Sequence, residues 1–205
     1  MDDIAKAYIK AVHAFYDLGC RYLQLDDTSW GEFCDASKRK NYAQKGINVD
    51  EVGRKYVKMI NQIIDAKPAD MTITMHICRG NFRSTWFSSG GYEPVADILF
   101  KNCHVDGFFL EYDSDRSGDF RPLSFIQNQR VVLGLITSKF PELEDPEAVK
   151  ARIQEATTYV PLDQLCLSTQ CGFSSTEEGN KITDEDQWKK LALIKEIAEE
   201  VWKDC

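Results

Sequence analysis

His76 and Cys78 are separated by one residue at the end of the run 71–78, which is followed by a glycine turn. The run is typical of a β-strand, and residues two apart on a strand project from the same face. An imidazole and a thiol are therefore expected side by side at the carboxyl end of this strand. Because zinc takes nitrogen and sulfur ligands, the pair is the first candidate for a metal site.

Two further residues extend this pair to a possible ligand set. Cys171 follows the last predicted strand and precedes a glycine, and Glu111 ends a strand that lies between these segments in the chain. A catalytic zinc usually keeps one position that a substrate can occupy. Three negative ligands outweigh the two positive charges of zinc, so the ion would activate water poorly but would hold a substrate thiolate that stays nucleophilic. The carboxylate is the ligand that an incoming thiol would displace most easily.

These residues need a fold that brings the ends of several strands together. Apolar periodicity predicts helices over 3–18, 49–66, 94–101, 145–159 and 183–202, and strands over 21–26, 71–78, 107–112, 130–137 and 164–168. The alternation predicts an α/β protein with a parallel sheet whose mostly apolar strands are covered on both faces. No glycine-rich phosphate loop follows any of these strands, so a Rossmann nucleotide site is unsupported.

Polar side chains at successive strand ends favour a (β/α)8 TIM-barrel type of fold, because such barrels build their sites there. A complete barrel needs eight strands and typically about 250 residues. We therefore expect 1–205 to be a single domain that covers roughly the last five βα units and lacks an N-terminal part. A half-barrel exposes two sheet edges, which predicts pairing with another copy or with the missing half.

Composition excludes several classes of function. The chain has 205 residues, a net charge of −8 and no basic run interleaved with aromatics, which argues against a nucleic-acid-binding surface. It has no apolar stretch long enough for a membrane span and no signal peptide. The seven cysteines are odd in number and widely spaced, which argues against a disulfide framework and favours the cytoplasm. Cys20 and Cys166 are interpreted as core residues, and Cys205 as inert.

The segments His-Ile-Cys-Arg-Gly-Asn at 76–81, Phe-Leu-Glu-Tyr-Asp at 109–113 and Thr-Gln-Cys-Gly at 169–172 together resemble the C-terminal half of the catalytic barrel of cobalamin-independent methionine synthases. The chain is most similar in kind to the shorter, single-barrel bacterial relatives. The resemblance implies that Zn²⁺ is the cofactor, and it places the zinc ligands on His76, Cys78, Glu111 and Cys171. It also implies transfer of a methyl group from 5-methyltetrahydrofolate to the thiol of homocysteine, which gives methionine.

Two acidic residues receive substrate roles from the same resemblance. The segment Gln24-Leu-Asp-Asp-Thr28 resembles the family's Gln-Ile-Asp-Glu-Pro, with threonine in place of proline. Asp26 would then hold the amino group of homocysteine, and Glu32 would contact the folate. A carboxylate at a strand end suits an ammonium group. From the residues alone, Asp26 could also be a helix cap or an ion-pair partner, and Glu32 a solvated loop residue.

The chain departs from the family on the next-to-last strand. The family has an Asp-x-His-Ser segment there, whose histidine is a proposed proton donor to the leaving folate, whereas the segment 134–139 has no histidine near Ile136. No catalytic residue is therefore assigned. His13 is expected within a helix and His104 before a strand, so neither can substitute by position.

The missing acid leaves the methyl donor open, since protonation of the leaving amine is worth a factor of roughly 10² to 10⁴. A water held by Lys139 or Thr137 could replace the acid, and a corrinoid or a sulfonium donor would not need one. A second interpretation is therefore a thiol methyltransferase that uses a corrinoid or a sulfonium donor and belongs to the superfamily that includes uroporphyrinogen decarboxylase. A non-catalytic half-barrel that carries zinc as a structural element is a third possibility.

Overall fold

The computed structural model describes residues 1–203, and Cys205, predicted to be inert, lies outside them. The strands are β1 (Tyr22–Asp26), β2 (Thr72–Ile77), β3 (Gly107–Glu111), β4 (Arg130–Ile136) and β5 (Leu165–Thr169). The helices are α1 (Asp2–Asp17), α2 (Ser29–Cys34), α3 (Ala36–Gln44), α4 (Val49–Asp65), α5 (Glu93–Leu99), α6 (Pro146–Ala156) and α7 (Asp184–Trp202). Within this part of the chain, no helix is both long and apolar enough to cross a membrane.

The sheet is parallel throughout, and its strands follow one another in the order β1-β2-β3-β4-β5. Right-handed crossovers between sequential parallel strands place every connection on the same face of the sheet. This strand order is consistent with part of a TIM barrel, because a doubly wound sheet reverses its strand order. The α/β fold with a parallel sheet is confirmed, but in residues 1–203 the sheet stays open, with β1 and β5 as its edges.

The two faces of the sheet differ in burial. The helix-facing side chains of the central strands, including Ile73, Phe108 and Leu133, are completely buried. On the opposite face, the β1 residues Gln24 and Asp26 are exposed. The prediction that both faces are covered is therefore wrong for this second face at β1.

Helix ends follow local capping chemistry. The Asp145 side chain accepts a hydrogen bond from the Glu147 N–H at the start of α6, and Thr183 and Asp186 form a reciprocal capping box at the start of α7. Both helix starts confirm the sequence prediction. Helix α6 ends at Ala156, one turn before the predicted end, because a cap at the start of a helix does not determine its length.

Two helices were not predicted. Helix α2 has six residues and buries Trp30 and Phe33, and α3 buries none of its residues. Helix α2 is too short to show a period of apolar residues in the sequence, and α3, which is polar all round, has no such period. Glu32, which was expected in a loop, lies in α2.

Cys20 and Cys166 were predicted to be core residues, but both are only partly buried. Cys20 precedes the edge strand β1, and its thiol donates a hydrogen bond to the Tyr22 carbonyl. Cys166 lies in the other edge strand, β5. Edge strands have one flank free, so an apolar neighbourhood in the sequence does not ensure burial there. The described cysteines are all free thiols, as their spacing predicted.

Candidate metal centre

The four predicted ligands converge at the carboxyl ends of β2, β3 and β5. His76 is the penultimate residue of β2, and Glu111 is the last residue of β3. Cys171 has to reach across β4, which separates β5 from β3. A side chain at Gly134 in β4 would come within 2.7 Å of the Gln170 Cα atom. The absence of a side chain at this position therefore lets the segment that carries Cys171 approach the site.

The donor atoms of His76, Cys78, Glu111 and Cys171 all lie within 4.8 Å of one another. His76 Nε2 is 3.6 Å from Glu111 Oε1, and the two sulfur atoms are 4.0 Å apart. Tetrahedral zinc with bonds of about 2.0 to 2.3 Å needs donor separations of roughly 3.3 to 3.8 Å. The set fits zinc after modest side-chain shifts, and its sulfur, nitrogen and oxygen donors are those that zinc prefers.

His76 is oriented by the neighbouring strand. Asp26 is its register partner on β1, and Asp26 Oδ1 lies 3.1 Å from His76 Nδ1. The opposite ring nitrogen, Nε2, points toward Glu111 and lies 3.1 Å from the Gln170 carbonyl. A carboxylate behind a histidine ring is a common way to fix the tautomer of a metal ligand. The Asp26 side chain is still 58% exposed, so its predicted contact with a substrate amino group stays a prediction.

Glu111 is completely buried and held at both oxygens. The Arg79 backbone N–H donates to Oε1 at 2.8 Å, and Arg116 Nη2 donates to Oε2 at 2.7 Å. Burial raises the pKa of Glu111, but the hydrogen bonds from His76 and Arg79 and the charge of Arg116 lower it below its usual value. Glu111 is therefore an anion at neutral pH although no solvent reaches it.

The two thiols share one proton. The hydrogen bond between them raises the pKa of Cys78, and burial raises it further. The same hydrogen bond, together with the nearby His76, lowers the pKa of Cys171 to about 6 despite burial. The pair therefore holds one thiolate at neutral pH before any metal arrives, and this is the form that binds metals.

A polar network locks the two segments that carry the thiols. The Asn81 amide donates to the Gly172 carbonyl and to Ser175 Oγ, each at 2.7 Å. The buried Lys139 ammonium donates to Gly80 O, Asn81 Oδ1 and Thr85 O, each at 3.0 Å. An ammonium group has three donors, so Lys139 has none left for a water. The prediction that Lys139 could replace the missing acid through a water is therefore wrong.

Thr137 remains available for that role. It is half-buried at the end of β4, and its hydroxyl oxygen accepts a hydrogen bond from the Lys139 N–H at 3.2 Å. The hydroxyl proton is still free to be donated. A water held by Thr137 stays a prediction.

A cleft of about 190 Å³ opens beside two of the ligands, His76 and Cys171. Gln24, Phe109 and Ser168 also line it. The cleft lies on the sheet face opposite the helices, and it combines polar groups with one aromatic ring. Its volume and mixed lining suit a small polar molecule.

Glu32 does not reach the four donors. Its carboxylate accepts a hydrogen bond from the Tyr42 hydroxyl at 2.7 Å. The residue before it, Gly31, packs so tightly against the Cys78 carbonyl that an added Cβ atom would lie 2.6 Å from that oxygen. Glu32 therefore lies near the rim of the site, and its predicted contact with a folate stays a prediction.

Sequence reasoning missed the two arginines around Glu111. The side chain of Arg116 is only 6% exposed, and Arg79 is 1% exposed with its guanidinium stacked on Tyr92. Arg79 belongs to the His-Ile-Cys-Arg-Gly-Asn segment, so its position beside the ligands was visible. Neither residue carries a local signal of burial, because arginine is usually exposed.

Fold and site together define an α/β protein with a candidate thiolate-rich metal centre at the strand ends. No protein-family model matches the chain. Two curated Bacillus subtilis relatives, the uncharacterized proteins YxjG and YxjH, are each 56% identical to it over 203 residues. These matches cover 98% of this chain but 54% of each relative, so the chain spans about half the length of the curated relatives it matches.

Two solved structures are similar to this chain. A Listeria monocytogenes protein, provisionally assigned as a vitamin-B12-independent methionine synthase, is 44% identical with a TM-score of 0.74. The alignment covers 98% of this chain and 54% of that one. A B12-independent methionine synthase from Shewanella, solved with selenomethionine, has the same TM-score and coverage at 20% identity, which shows the shared fold. The resemblance to cobalamin-independent methionine synthases is confirmed, and it supports a methyltransferase as the kind of enzyme to which this chain is related.

Proposed function

We propose that this chain carries the zinc-binding, thiol-activating part of a methyltransferase that moves a methyl group to homocysteine or a similar thiol. The observation that carries the proposal is the convergence of four donors, one of them a displaceable carboxylate, beside a cleft of about 190 Å³. His76, Cys78, Glu111 and Cys171 would hold the zinc ion. When bound, zinc would lower the pKa of a substrate thiol and keep it as a nucleophilic thiolate.

The other residues of the site bind and orient. Asp26 holds the His76 ring and, through its exposed part, offers a carboxylate to a substrate ammonium group. The Asn81 and Lys139 network keeps the segments around Cys78 and Cys171 in place. The substrate sulfur then attacks the methyl carbon, the bond between methyl and donor breaks, and the donor keeps the electron pair. Preorganised ligands spare the reorganisation that free groups would need.

5-Methyltetrahydrofolate is the donor that the resemblance implies. One observation favours a second candidate, because the strand end after β4 offers no histidine and the Lys139 ammonium is fully engaged. A corrinoid or a sulfonium donor leaves without being protonated, so either suits this site. Assaying the three donor classes in parallel with the same thiol decides between them.

The test of the thiol chemistry compares Cys78→Ala with Cys20→Ala, a matched change at the opposite end of the sheet. We expect Cys78→Ala to lose zinc and to lose the thiol methylation that the unchanged protein shows. Cys20→Ala should keep both. Retention of zinc and methylation by Cys78→Ala would refute the proposal.

X-ray absorption separates a substrate-binding ion from a structural one. We expect homocysteine to replace the Glu111 oxygen with a sulfur in the zinc-loaded chain. A coordination sphere that does not change with homocysteine would indicate a closed, structural site.

A further inference from the structure

Arg116 is a buried arginine whose guanidinium serves the carboxylate of Glu111. Its Nη2 donates to Glu111 Oε2 at 2.7 Å, and its Nη1 donates to Ser114 Oγ at 2.7 Å. The same Nη2 lies 2.8 Å from Asp113 Oδ1, at an angle outside hydrogen-bond geometry. The guanidinium therefore forms ion pairs with two buried carboxylates, and of these two it donates a hydrogen bond to Glu111.

This arrangement leaves one oxygen of Glu111 for a metal. Oε2 is engaged by Arg116. Oε1 accepts one hydrogen bond from the Arg79 N–H at 2.8 Å, faces His76 Nε2 at 3.6 Å and keeps its second lone pair for a metal. A carboxylate that offers one oxygen is held less firmly than one that chelates through two. The pairing with Arg116 would thus weaken the hold of Glu111 on a metal.

The guanidinium also has a donor in reserve. Arg116 Nε is buried and has no hydrogen-bond partner within the described residues. A guanidinium edge binds a carboxylate best through two parallel N–H groups. A Glu111 carboxylate released from a metal stays in a completely buried position, where a charge is costly unless its hydrogen bonds are complete. A second hydrogen bond from Arg116 would offset that cost.

We propose that Arg116 receives the Glu111 carboxylate when a substrate thiol takes its place on the metal. Arg116 is then a positioning residue that determines how readily the thiol binds. This inference rests on the proposed function, since it requires that a thiol displaces Glu111. Arg116, which is not itself a metal ligand, would then control the exchange of Glu111 for the thiol.

The experiment uses the 205-residue chain loaded with cobalt(II), whose visible absorption reports each sulfur ligand, and titrates it with homocysteine. Arg116→Met and Arg116→Lys are compared with Arg121→Met, a control in the same segment whose side chain is 69% exposed and pairs with Asp119. We expect Arg116→Met to bind cobalt with an affinity within about threefold of that of the unchanged chain. We expect it to bind homocysteine at least tenfold more weakly, which corresponds to a loss of about 1.4 kcal/mol. Arg116→Lys should fall between, and Arg121→Met should match the unchanged chain.

Two outcomes overturn the inference. One is homocysteine binding by Arg116→Met within twofold of the unchanged chain. The other is a parallel loss of cobalt and homocysteine affinity, which indicates a merely structural role. If the unchanged chain itself shows no new sulfur ligand with homocysteine, the proposed function has failed rather than the role of Arg116.

A measurement on the unchanged chain serves if the variants do not fold. Isotope-edited infrared difference spectra, recorded with labelled glutamate, should show that one carboxylate changes its environment and stays ionised when homocysteine is added. Conversion of that group to a protonated carboxyl, or no change in any glutamate, would contradict capture by Arg116.

Discussion

Two histidine–aspartate pairs lie at opposite ends of the same sheet. His76 at the carboxyl end of β2 is 3.1 Å from Asp26, and His104, which precedes β3, is 2.7 Å from Asp65. The His76 side chain is 8% exposed and faces three more metal-binding groups. The His104 side chain is 55% exposed, and its partner is 60% exposed. The pair with the shorter distance, His104 and Asp65, is thus the more exposed one and is not part of a group of metal-binding side chains within the described part of the chain.

Cavity size points the other way. A cleft of about 640 Å³ includes both His104 and Asp65 and runs along α4 and α5, whereas the cleft at His76 measures about 190 Å³. The larger cleft is a groove between outer helices, and no cluster of metal-binding groups among residues 1–203 includes His104. Converging strand ends and burial therefore make a histidine–carboxylate pair a candidate metal site. A short distance within the pair or a large cavity beside it does not.

The largest expected contrast is in pH dependence. Burial lowers the pKa of His76, but hydrogen bonds to Asp26 and Glu111 raise it more, to about 10, and Cys78 also holds a proton at neutral pH. Zinc has to displace both protons, so we expect release of about two protons and an affinity that falls roughly 100-fold for each unit by which the pH is lowered between 9 and 7. Calorimetry in buffers of different ionisation enthalpy measures this number. Release of fewer than one proton would contradict it.

Replacing each histidine tests the same comparison. His76→Ala should lower zinc affinity by roughly 10²- to 10³-fold, since apparent binding free energies of about 10 to 16 kcal/mol are shared by four ligands. His104→Ala should leave the affinity unchanged. Competition with a chromophoric chelator measures both, and equal effects of the two changes would remove the distinction between the pairs.

The aspartates should differ by less. Asp26→Asn keeps the shape but weakens the hold on the His76 ring, so we expect a loss of roughly 10- to 100-fold in zinc affinity. Asp65→Asn is the matched control and should have no effect on zinc. The same chelator competition applies, and an Asp26→Asn variant with full affinity would show that the strand alone orients the ring.

The smallest expected effect is on stability. His104→Ala removes an exposed pair, which contributes about 0 to 1 kcal/mol, so the free energy of unfolding should change by no more than that. Urea denaturation measures it. A loss above about 2 kcal/mol would mean that the His104 pair has a structural role that its exposure does not suggest.

The elements that the sequence predicted share a strong local signal. The run 71–78 corresponds to β2, and the capping residues Asp145 and Thr183 begin α6 and α7 as expected. The period of apolar residues decides both element type and buried face, so these features need no knowledge of distant contacts. Helices α2 and α3 lack that signal and were missed.

The site was only partly within reach. Ligand types and strand ends were sufficient to group His76 with Cys78, Glu111 and Cys171, because the ends of parallel strands lie at one edge of a sheet. They were insufficient for the arginine behind Glu111, for the complete engagement of Lys139, and for the role of Asp26 beside His76. Each of these depends on which side chains meet across the sheet or between loops.

The amino-acid sequence alone determined the alternation of helices and strands and the identity of the four candidate ligands, since both follow from residue type and spacing. The tertiary structure decided which groups surround them. Although burial raises the pKa of Glu111, hydrogen bonds from His76 and Arg79 and the charge of Arg116 keep it an anion. The approach of Gln170 to Gly134 brings Cys171 within 4.0 Å of Cys78. The charge of Glu111 and the contact between the two thiols depend on interatomic distances and on the local dielectric environment. For residues far apart in the chain, folding alone sets both.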